Sequence, residues 1–416
     1  MAAKLSRSQY SPALFDVAQD IAGGLPLRLV ERWLASEQTQ HDALHLLADS
    51  RVTGFNVVSD SAGLTRLTHQ RGLMEILAII NQPKEIIHGL GVASGGEAIG
   101  IWAADNTQMF YPRTVGAEAL LSMLLAVQDA VSAQCQIAIG LGAHFGEFYR
   151  LGGGLYGAES AAIEAIAEDD TEGGEIVVSA AIVARLDPGH GFTLQRREQP
   201  ATAIGPLYRL LDGPRPAAAP GPDVNYPIPY SRAFYSELLA LQAHLGDRAT
   251  ARAMGRRYTV QRVVVLVERE SQVADSHEIA VLNDLALSVM LKDAAIRHLE
   301  GGAGLEIKVS GPIGIYAFED AARALEFAES FRRVLDHDEI VSRFGIDVGP
   351  VLIFDLAGGG KDIAGMPVNV ASKMAQDRGC WGRIYLSAAV HALVDAPGYT
   401  ELRYSVSGVD LVVYEG

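Results

Sequence analysis

Hydrophobic and polar residues alternate along this chain in two kinds of run, short β-branched ones and longer ones with helical spacing. In the second half they predict, in order, a strand, a helix, a hairpin, a second helix and a strand pair: Arg262–Glu268, around Glu278–Leu299, Leu305–Ser310 with Ile313–Phe318, Glu319–Leu335, and around Gly345–Phe354. Short strands alternating with helices of this length predict an α/β sandwich, with helices packed on a sheet.

The same order of runs occurs twice, at a nearly constant offset. Gly157 and Gly365 stand 208 residues apart, and the strand-like runs that end at Ser179 and Ser387 keep the same offset. Only the hairpin departs from it, because Gly95–Trp102 aligns with Gly311–Phe318 at an offset of 216. Self-similarity of this kind predicts two domains of the same fold.

Length and composition agree with two globular domains. The chain has 416 residues, 49% of them hydrophobic and 20% charged. A net charge of −16 argues against nucleic acid or an anionic membrane surface as the main partner. Only two cysteines and no apolar run long enough to span a membrane favour a soluble, cytoplasmic protein.

The predicted domain organisation has four parts. They are an N-terminal helical segment over residues 1–50, a first domain over 51–211, a Pro-rich linker plus helix over 212–257 and a second domain over 258–416. We expect the two leading helical stretches, Leu27–Leu47 and Ser231–Arg252, to pack on their own domains or on each other.

Lys361–Met374, with the sequence KDIAGMPVNVASKM, carries the most specific chemistry. Three apolar positions recur at helical spacing and are predicted to face a core: Val368, Ala371 and Met374. Asn369 and Lys373 are four residues apart and share another face of the same helix. Asp362 precedes the glycine turn that starts the helix.

This segment resembles the class III nucleotidyl cyclases, in which it runs Asp-x-x-Gly-x-x-Val-Asn-x-Ala-x-Arg. Five positions match, and Lys373 replaces the arginine: Asp362, Gly365, Val368, Asn369 and Ala371. The resemblance implies an α/β (α+β) fold with two ferredoxin-like βαββαβ domains. It also implies that the two domains form an intramolecular head-to-tail pseudo-dimer, with composite sites between them.

The resemblance implies a metal-binding side in the first domain. Asp60 matches the first metal-binding aspartate of the family. The second belongs at the hairpin turn, where counting back from Trp102 gives Gly96, which has no carboxylate. Glu97 is one residue late and points to the opposite face of a regular strand, so it would serve only in a bulged hairpin.

The nucleotide side is implied in the second domain. Lys308 and Asp362 match the residues that read adenine, and Asn369 matches the asparagine that orients the ribose. Lys373 keeps the charge of the phosphate-binding arginine but loses its bidentate geometry. Asp60, Asn369 and Lys373 are the implied catalytic residues.

Each of these residues also has an ordinary structural explanation. Asp60 could cap the following helix, Lys308 could be a solvated strand residue and Asp362 a turn residue. In the mirror-related site, Glu268 and Pro312 replace the two aspartates, so that site predicts no nucleotide chemistry.

Three functions therefore stay open. The missing second carboxylate favours a pseudo-cyclase that binds ATP or another adenine nucleotide, or a regulatory protein partner. The first alternative is a weakly active or atypical adenylate cyclase, using Mg²⁺ or Mn²⁺ to convert ATP to cyclic AMP and pyrophosphate. The second is a pure protein-interaction module in which both pockets are closed by packing.

Overall fold

A computed structural model of the chain describes most of the 416 residues. The described residues are 21–22, 25–100, 102, 106–198, 202–216, 230–271, 274, 276–299, 304–355, 360–377, 379–406 and 409–416. The start of the predicted N-terminal segment and most of the Pro-rich linker lie outside them.

Both large domains contain helices that pack on their sheets. The described ones are α1 Leu27–Ala35, α2 Gln40–Leu47, α3 Leu64–Arg71, α4 Leu73–Ala93, α5 Ala117–Gln134, α6 Ala158–Asp169, α7 Ala180–Val183, α8 Arg232–Gln242, α9 Arg248–Tyr258, α10 His277–Leu299, α11 Ala321–His337, α12 Met366–Ser372 and α13 Ala388–His391. A 3₁₀ turn spans Ala48–Ser50, and a π-helical turn, Lys373–Asp377, continues α12. No helix in the described part of the chain has the length and hydropathy that crossing a membrane requires.

The strands form two large sheets and one small hairpin. They are β1 Ile21–Ala22, β2 Leu25–Pro26, β3 Arg51–Ser61, β4 Glu97–Ala98, β5 Thr107–Pro112, β6 Ile139–Leu151, β7 Gly154–Tyr156, β8 Ile176–Ser179, β9 Thr193–Arg196, β10 Leu207–Asp212, β11 Thr259–Arg269, β12 Gly304–Ser310, β13 Ile313–Phe318, β14 Ser342–Asp355, β15 Lys361–Ala364, β16 Ile384–Ser387, β17 Thr400–Val406 and β18 Val409–Glu415.

The two large sheets have the same topology. Each has eight strands, in the order β4-β5-β3-β6-β8-β10-β9 with β7 on β6, and β12-β13-β11-β14-β16-β18-β17 with β15 on β14. Among the strands that the structure describes, only the pairs β6–β8 and β14–β16 are parallel. Strand, helix, hairpin, helix and strand follow one another in each half, which confirms the predicted α/β fold with two domains.

The chain divides into two compact units. The first unit contains Leu47–Leu64 and Met74–Ala251, and the second contains Thr65–Leu73, Arg252–Gly416 and the described residues up to Leu46. Each leading helix therefore belongs to the unit of the other domain. Our expectation that these helices pack on their own domains or on each other is wrong.

Specific contacts hold the exchanged helices. On α1, Trp33 is fully buried, and its Nε1 donates a hydrogen bond to Oδ1 of Asn283 on α10, at 3.0 Å. On α8, Gln242 accepts a hydrogen bond from Nδ2 of Asn81 on α4, at 2.7 Å, and donates another to Glu85. The sequence defines the apolar face of such a helix, but many apolar surfaces can cover that face.

In each domain, helices pack on the large sheet and form a hydrophobic core with it. In the first domain, α5 covers apolar side chains of β3, β5 and β6, including Phe55, Met109 and Leu141. In the second, α12 covers a smaller cluster that includes Val264 and Ile315. This second cluster lies directly under the predicted nucleotide-facing helix.

Candidate functional site

The segment Lys361–Met374 folds as a short strand followed by a helix. Asp362 on β15 pairs with Phe354 on β14, and α12 begins immediately after Gly365. A Cβ atom at Gly365 would lie 2.8 Å from the carbonyl oxygen of Pro350, so the close approach of the two chains requires glycine there. Ala371 and Met374 are fully buried, which confirms the predicted core face of the helix.

Lys308 and Asp362 form an ion pair within the second domain. The Nζ atom of Lys308, on β12, lies 2.8 Å from Oδ1 and 2.9 Å from Oδ2 of Asp362. The backbone N–H of Ile363 also donates to Oδ1, at 2.8 Å, so the carboxylate is fixed in place. About one third of the Lys308 side chain is exposed, at 34%, whereas the Asp362 side chain is buried.

Asn369 and Lys373 lie one turn apart on the helix that follows. Asn369 is in α12, and Lys373 starts the π-helical turn, with its Nζ 3.7 Å from Oδ2 of Asp377. Single π-helical turns inside helices are frequent at functional sites. The second domain thus carries all four predicted nucleotide-facing residues on β12, β15 and the helix after β15.

Asp60 lies in the first domain, at the last position but one of β3. The residue opposite it on β6 is Gly140, which has no side chain. The matching pair in the second domain is Glu268 and Arg343. There, Nη2 of Arg343 lies 2.6 Å from Oε2 of Glu268, so the second domain neutralises its carboxylate internally.

Arg343 has two further contacts that keep it in this position. Its Nη1 donates to the carbonyl oxygen of Gly379 at 2.7 Å, and its guanidinium lies 4.3 Å from the ring centre of Trp381. The Arg343 guanidinium is thus held by a carboxylate, a carbonyl and an aromatic face at once.

The register of the first hairpin differs from our alignment. Ser59 pairs with Thr107 in the first domain, and the matching residue Val267 pairs with Gly314 in the second. The second hairpin strand is therefore β5, Thr107–Pro112, and aligning Gly95–Trp102 with Gly311–Phe318 is wrong. Pro312 lies two residues before Gly314, and two residues before Thr107 the sequence has Asp105, which is outside the described residues.

Glu97 lies on β4, away from Asp60. It pairs with Phe110, which pairs with Asn56, so Glu97 is on the same face of the sheet as Asp60 and not on the opposite one. Asn56 and Asp60 are four residues apart, or about 13 Å along a strand. Glu97 is also exposed and forms an ion pair with Arg150. The structure does not bring the two predicted metal ligands together.

His144 and Asp347, each two residues from a glycine on either side in the sequence, lie inside strands. They occupy matching positions on β6 and β14. Nδ1 of His144 lies 2.8 Å from Oγ of Ser179, and Asp347 accepts a hydrogen bond from the matching Ser387. Burial raises the pKa of Asp347. Both are buried polar residues of the sheet, not turn residues.

Among the described residues, no group of three or more histidine, cysteine, aspartate or glutamate side chains could hold a metal ion. Asp60 alone does not satisfy the oxygen-rich coordination that Mg²⁺ or Mn²⁺ requires.

Comparison with solved structures identifies the fold. A class III adenylyl cyclase-like ATP-binding protein from Pseudomonas aeruginosa superimposes with a TM-score of 0.52, at 9% sequence identity, over 83% of this chain and 85% of that one. The chain has the fold of that cyclase-like protein. The resemblance seen in the sequence is thus confirmed at the level of the fold.

Single cyclase structures also match, over less of the chain. The adenylyl cyclase CyaB from P. aeruginosa matches 40% of this chain and 96% of its own, at 16% identity and a TM-score of 0.35. An adenylate/guanylate cyclase/hydrolase from Silicibacter pomeroyi matches 38% and 96%, at 22% identity and a TM-score of 0.30. No protein-family model matches the chain, and no curated protein sequence does.

Proposed function

We propose that this chain is an adenine-nucleotide-binding protein in which the second domain recognises the base. The observation that carries the proposal is the ion pair between Lys308 and Asp362. A partly exposed ammonium next to a fixed carboxylate offers one donor and one acceptor side by side. The edge of adenine presents the complementary pair, a ring nitrogen and an amino group. The ATP-binding protein from P. aeruginosa with the same fold supports this assignment.

Asn369 and Lys373 supply the remaining contacts in this proposal. The Asn369 amide orients the ribose, and the Lys373 ammonium attracts the triphosphate. A lysine binds phosphate as a point charge, whereas an arginine would use two parallel hydrogen bonds. We expect binding of ATP to be weaker and less dependent on phosphate geometry than in a site that contains arginine.

Isothermal calorimetry of the purified chain with ATP and GTP tests nucleotide binding. Lys308→Ala should weaken ATP binding about 10- to 150-fold, because one charge-assisted hydrogen bond contributes about 1.5–3 kcal/mol. Lys361→Ala is the matched control, because Lys361 lies next to Asp362 in the sequence but forms its ion pair with the exposed Asp355. Equal affinities for ATP in the two variants, or a preference for GTP in the parent protein, would refute the assignment.

Adenylate cyclase activity is the second candidate function, and the strand register is the observation that favours it. Counting from β5, the sequence has a carboxylate, Asp105, where our alignment placed Gly96. Asp60 and Asp105 would then be the residues that hold Mg²⁺ or Mn²⁺, which in such enzymes activates the ribose hydroxyl and neutralises the triphosphate.

Incubation with ATP and Mn²⁺, followed by detection of cyclic AMP, tests this candidate. Asp60→Asn and Asp105→Asn should each abolish the product, whereas Glu97→Gln should have no effect. A chain that binds ATP and yields no cyclic AMP at high protein and metal concentrations is a pseudo-cyclase. A chain that neither binds nor converts ATP leaves the prediction of a regulatory protein partner, which affinity capture would test.

A further inference from the structure

The first domain contains a cluster of polar side chains under α6, formed by Asn56, Gln108, Ser160 and Glu164. Oγ of Ser160 accepts hydrogen bonds from Nδ2 of Asn56 at 3.1 Å and from Nε2 of Gln108 at 3.3 Å. It donates to Oε1 of Glu164 at 2.8 Å, and Nε2 of Gln108 lies 2.9 Å from the same oxygen. All of these residues belong to the first unit.

The second domain shows that the fold does not need polar residues at three of these four positions. The same sheet and helix positions there hold Val264, Ile315, Val368 and Ser372, by register on the strands and by distance from the glycine that starts the helix. The first three belong to, or pack on, the apolar cluster under α12. A polar network in one domain where the other uses hydrophobic packing therefore has a role other than folding.

The hydrogen bonds of the cluster leave acceptors in excess. Asn56 is fully buried, and its Oδ1 has no hydrogen-bond partner among the described residues. Glu164 accepts from Ser160 and Gln108 but has no cationic partner in the described part of the chain. Buried acceptors with no donor are rare in folded proteins and indicate a further bound group.

Charge gives the nature of that group. Burial raises the pKa of Glu164, since the carboxylate loses solvation that no nearby cation replaces. A bound cation would stabilise the ionised form of the Glu164 carboxylate. A cation that also carries N–H groups would satisfy Oδ1 of Asn56. Glu164 is only partly buried, so such a ligand can reach it from solvent.

We propose that the Asn56–Gln108–Ser160–Glu164 cluster binds a small protonated amine, of which the ammonium ion is the simplest. The amine donates hydrogen bonds to Oδ1 of Asn56 and to the Glu164 carboxylate. The site lies within the first domain and is separate from the nucleotide-facing residues on β12, β15 and α12. Its existence does not depend on whether the chain binds nucleotide.

Thermal unfolding and calorimetry of the full chain with ammonium chloride test this site. We expect a saturable rise in the unfolding temperature that tetramethylammonium chloride, which has no N–H donors, does not give at the same concentration. Potassium chloride should also give no rise in the unfolding temperature, because K⁺ is similar in size to the ammonium ion but has no N–H donors. An equal effect of potassium or tetramethylammonium would overturn the proposal.

Variants that copy side chains from the second domain into the first show whether a lost response comes from the site or from misfolding. Asn56→Val removes the unsatisfied acceptor, so this variant should fold and be at least as stable as the parent without ligand. Asn56→Val and Gln108→Ile both introduce the side chains that the second domain has at these positions. They should lose the response to ammonium at least tenfold, as should Glu164→Gln. Glu168→Gln, one turn further along α6, is the matched control. An unchanged response in Asn56→Val, or strong destabilisation of that variant without ligand, would show that the polar cluster is structural only.

Discussion

The hydrogen bond between Trp33 and Asn283 links the helix in front of the first domain to the second domain, and we expect its loss to destabilise the second unit. The Trp33 side chain is fully buried, and Asn283 is 4% exposed. Trp33→Phe keeps most of the apolar contact but leaves Oδ1 of Asn283 without its donor. An unsatisfied buried group costs about 1–3 kcal/mol, so the free energy of unfolding should fall by that amount.

The whole tryptophan contributes more than its hydrogen bond. Trp33→Ala also removes the ring from between α1 and α10, and truncation of a buried aromatic side chain costs about 3–5 kcal/mol. Leu44→Ala is the control, because Leu44 is 44% exposed and its loss should cost less than about 0.5 kcal/mol.

Urea unfolding of the single variants and of a double variant with Asn283→Ala measures the pair directly. The two residues are in contact, so their effects should not add, and the double-mutant cycle should give a coupling of about 1 kcal/mol. Hydrogen exchange locates the effect, because Trp33→Ala should reduce protection of the α10 amides first. Full additivity, or loss of protection only in the first domain, would refute the packing of α1 on α10.

Three further predictions follow from single contacts. Arg343→Ala should cost about 3 kcal/mol, because Glu268 is left as a largely buried, unpaired charge, and adding Glu268→Ala should recover most of that loss in urea unfolding. Asp347→Asn should match or exceed the parent in stability near pH 7. Because folding raises the pKa of Asp347, this residue stabilises the folded chain fully only below its ordinary pKa of 3.8, and that stabilisation is lost as the pH rises through the pKa of the folded state. The stability advantage of Asp347→Asn over the parent should therefore shrink towards about pH 4, and an equal loss of stability at both pH values would contradict this. Gly365→Ala should cost at least about 1 kcal/mol, because the new Cβ would lie 2.8 Å from the carbonyl oxygen of Pro350; an unchanged unfolding midpoint would contradict the tight turn.

The sequence by itself determined the secondary structure around the candidate nucleotide site. The predicted hairpin of Leu305–Ser310 and Ile313–Phe318 matches β12 and β13 within one residue. The spacing of Ala371 and Met374 correctly identified the buried face of α12 and of the π-helical turn that continues it. These features are local, because a strand alternates every two residues and a helix turns every 3.6, and a loop of one or two residues leaves little freedom in register.

Hairpin register in the first domain was decided only by the tertiary structure. The segment between β4 and β5 is longer than its counterpart, so counting residues back from Trp102 led to Gly96. Pairing of β5 with β3 shifts the comparison to Asp105. A loop carries no periodic pattern, so its sequence does not show how many residues it inserts before the next strand pairs.

The contacts of helix α1 and of the carboxylate of Glu268 were also decided only by the tertiary structure. The apolar face of α1 was visible in the sequence, but not that Trp33 would contact Asn283, 250 residues later. Nor did the sequence show that Glu268 pairs with Arg343 while Asp60 lies opposite Gly140. Local spacing defines which face of an element is apolar or charged. Which distant surface covers that face depends on the packing of the whole chain.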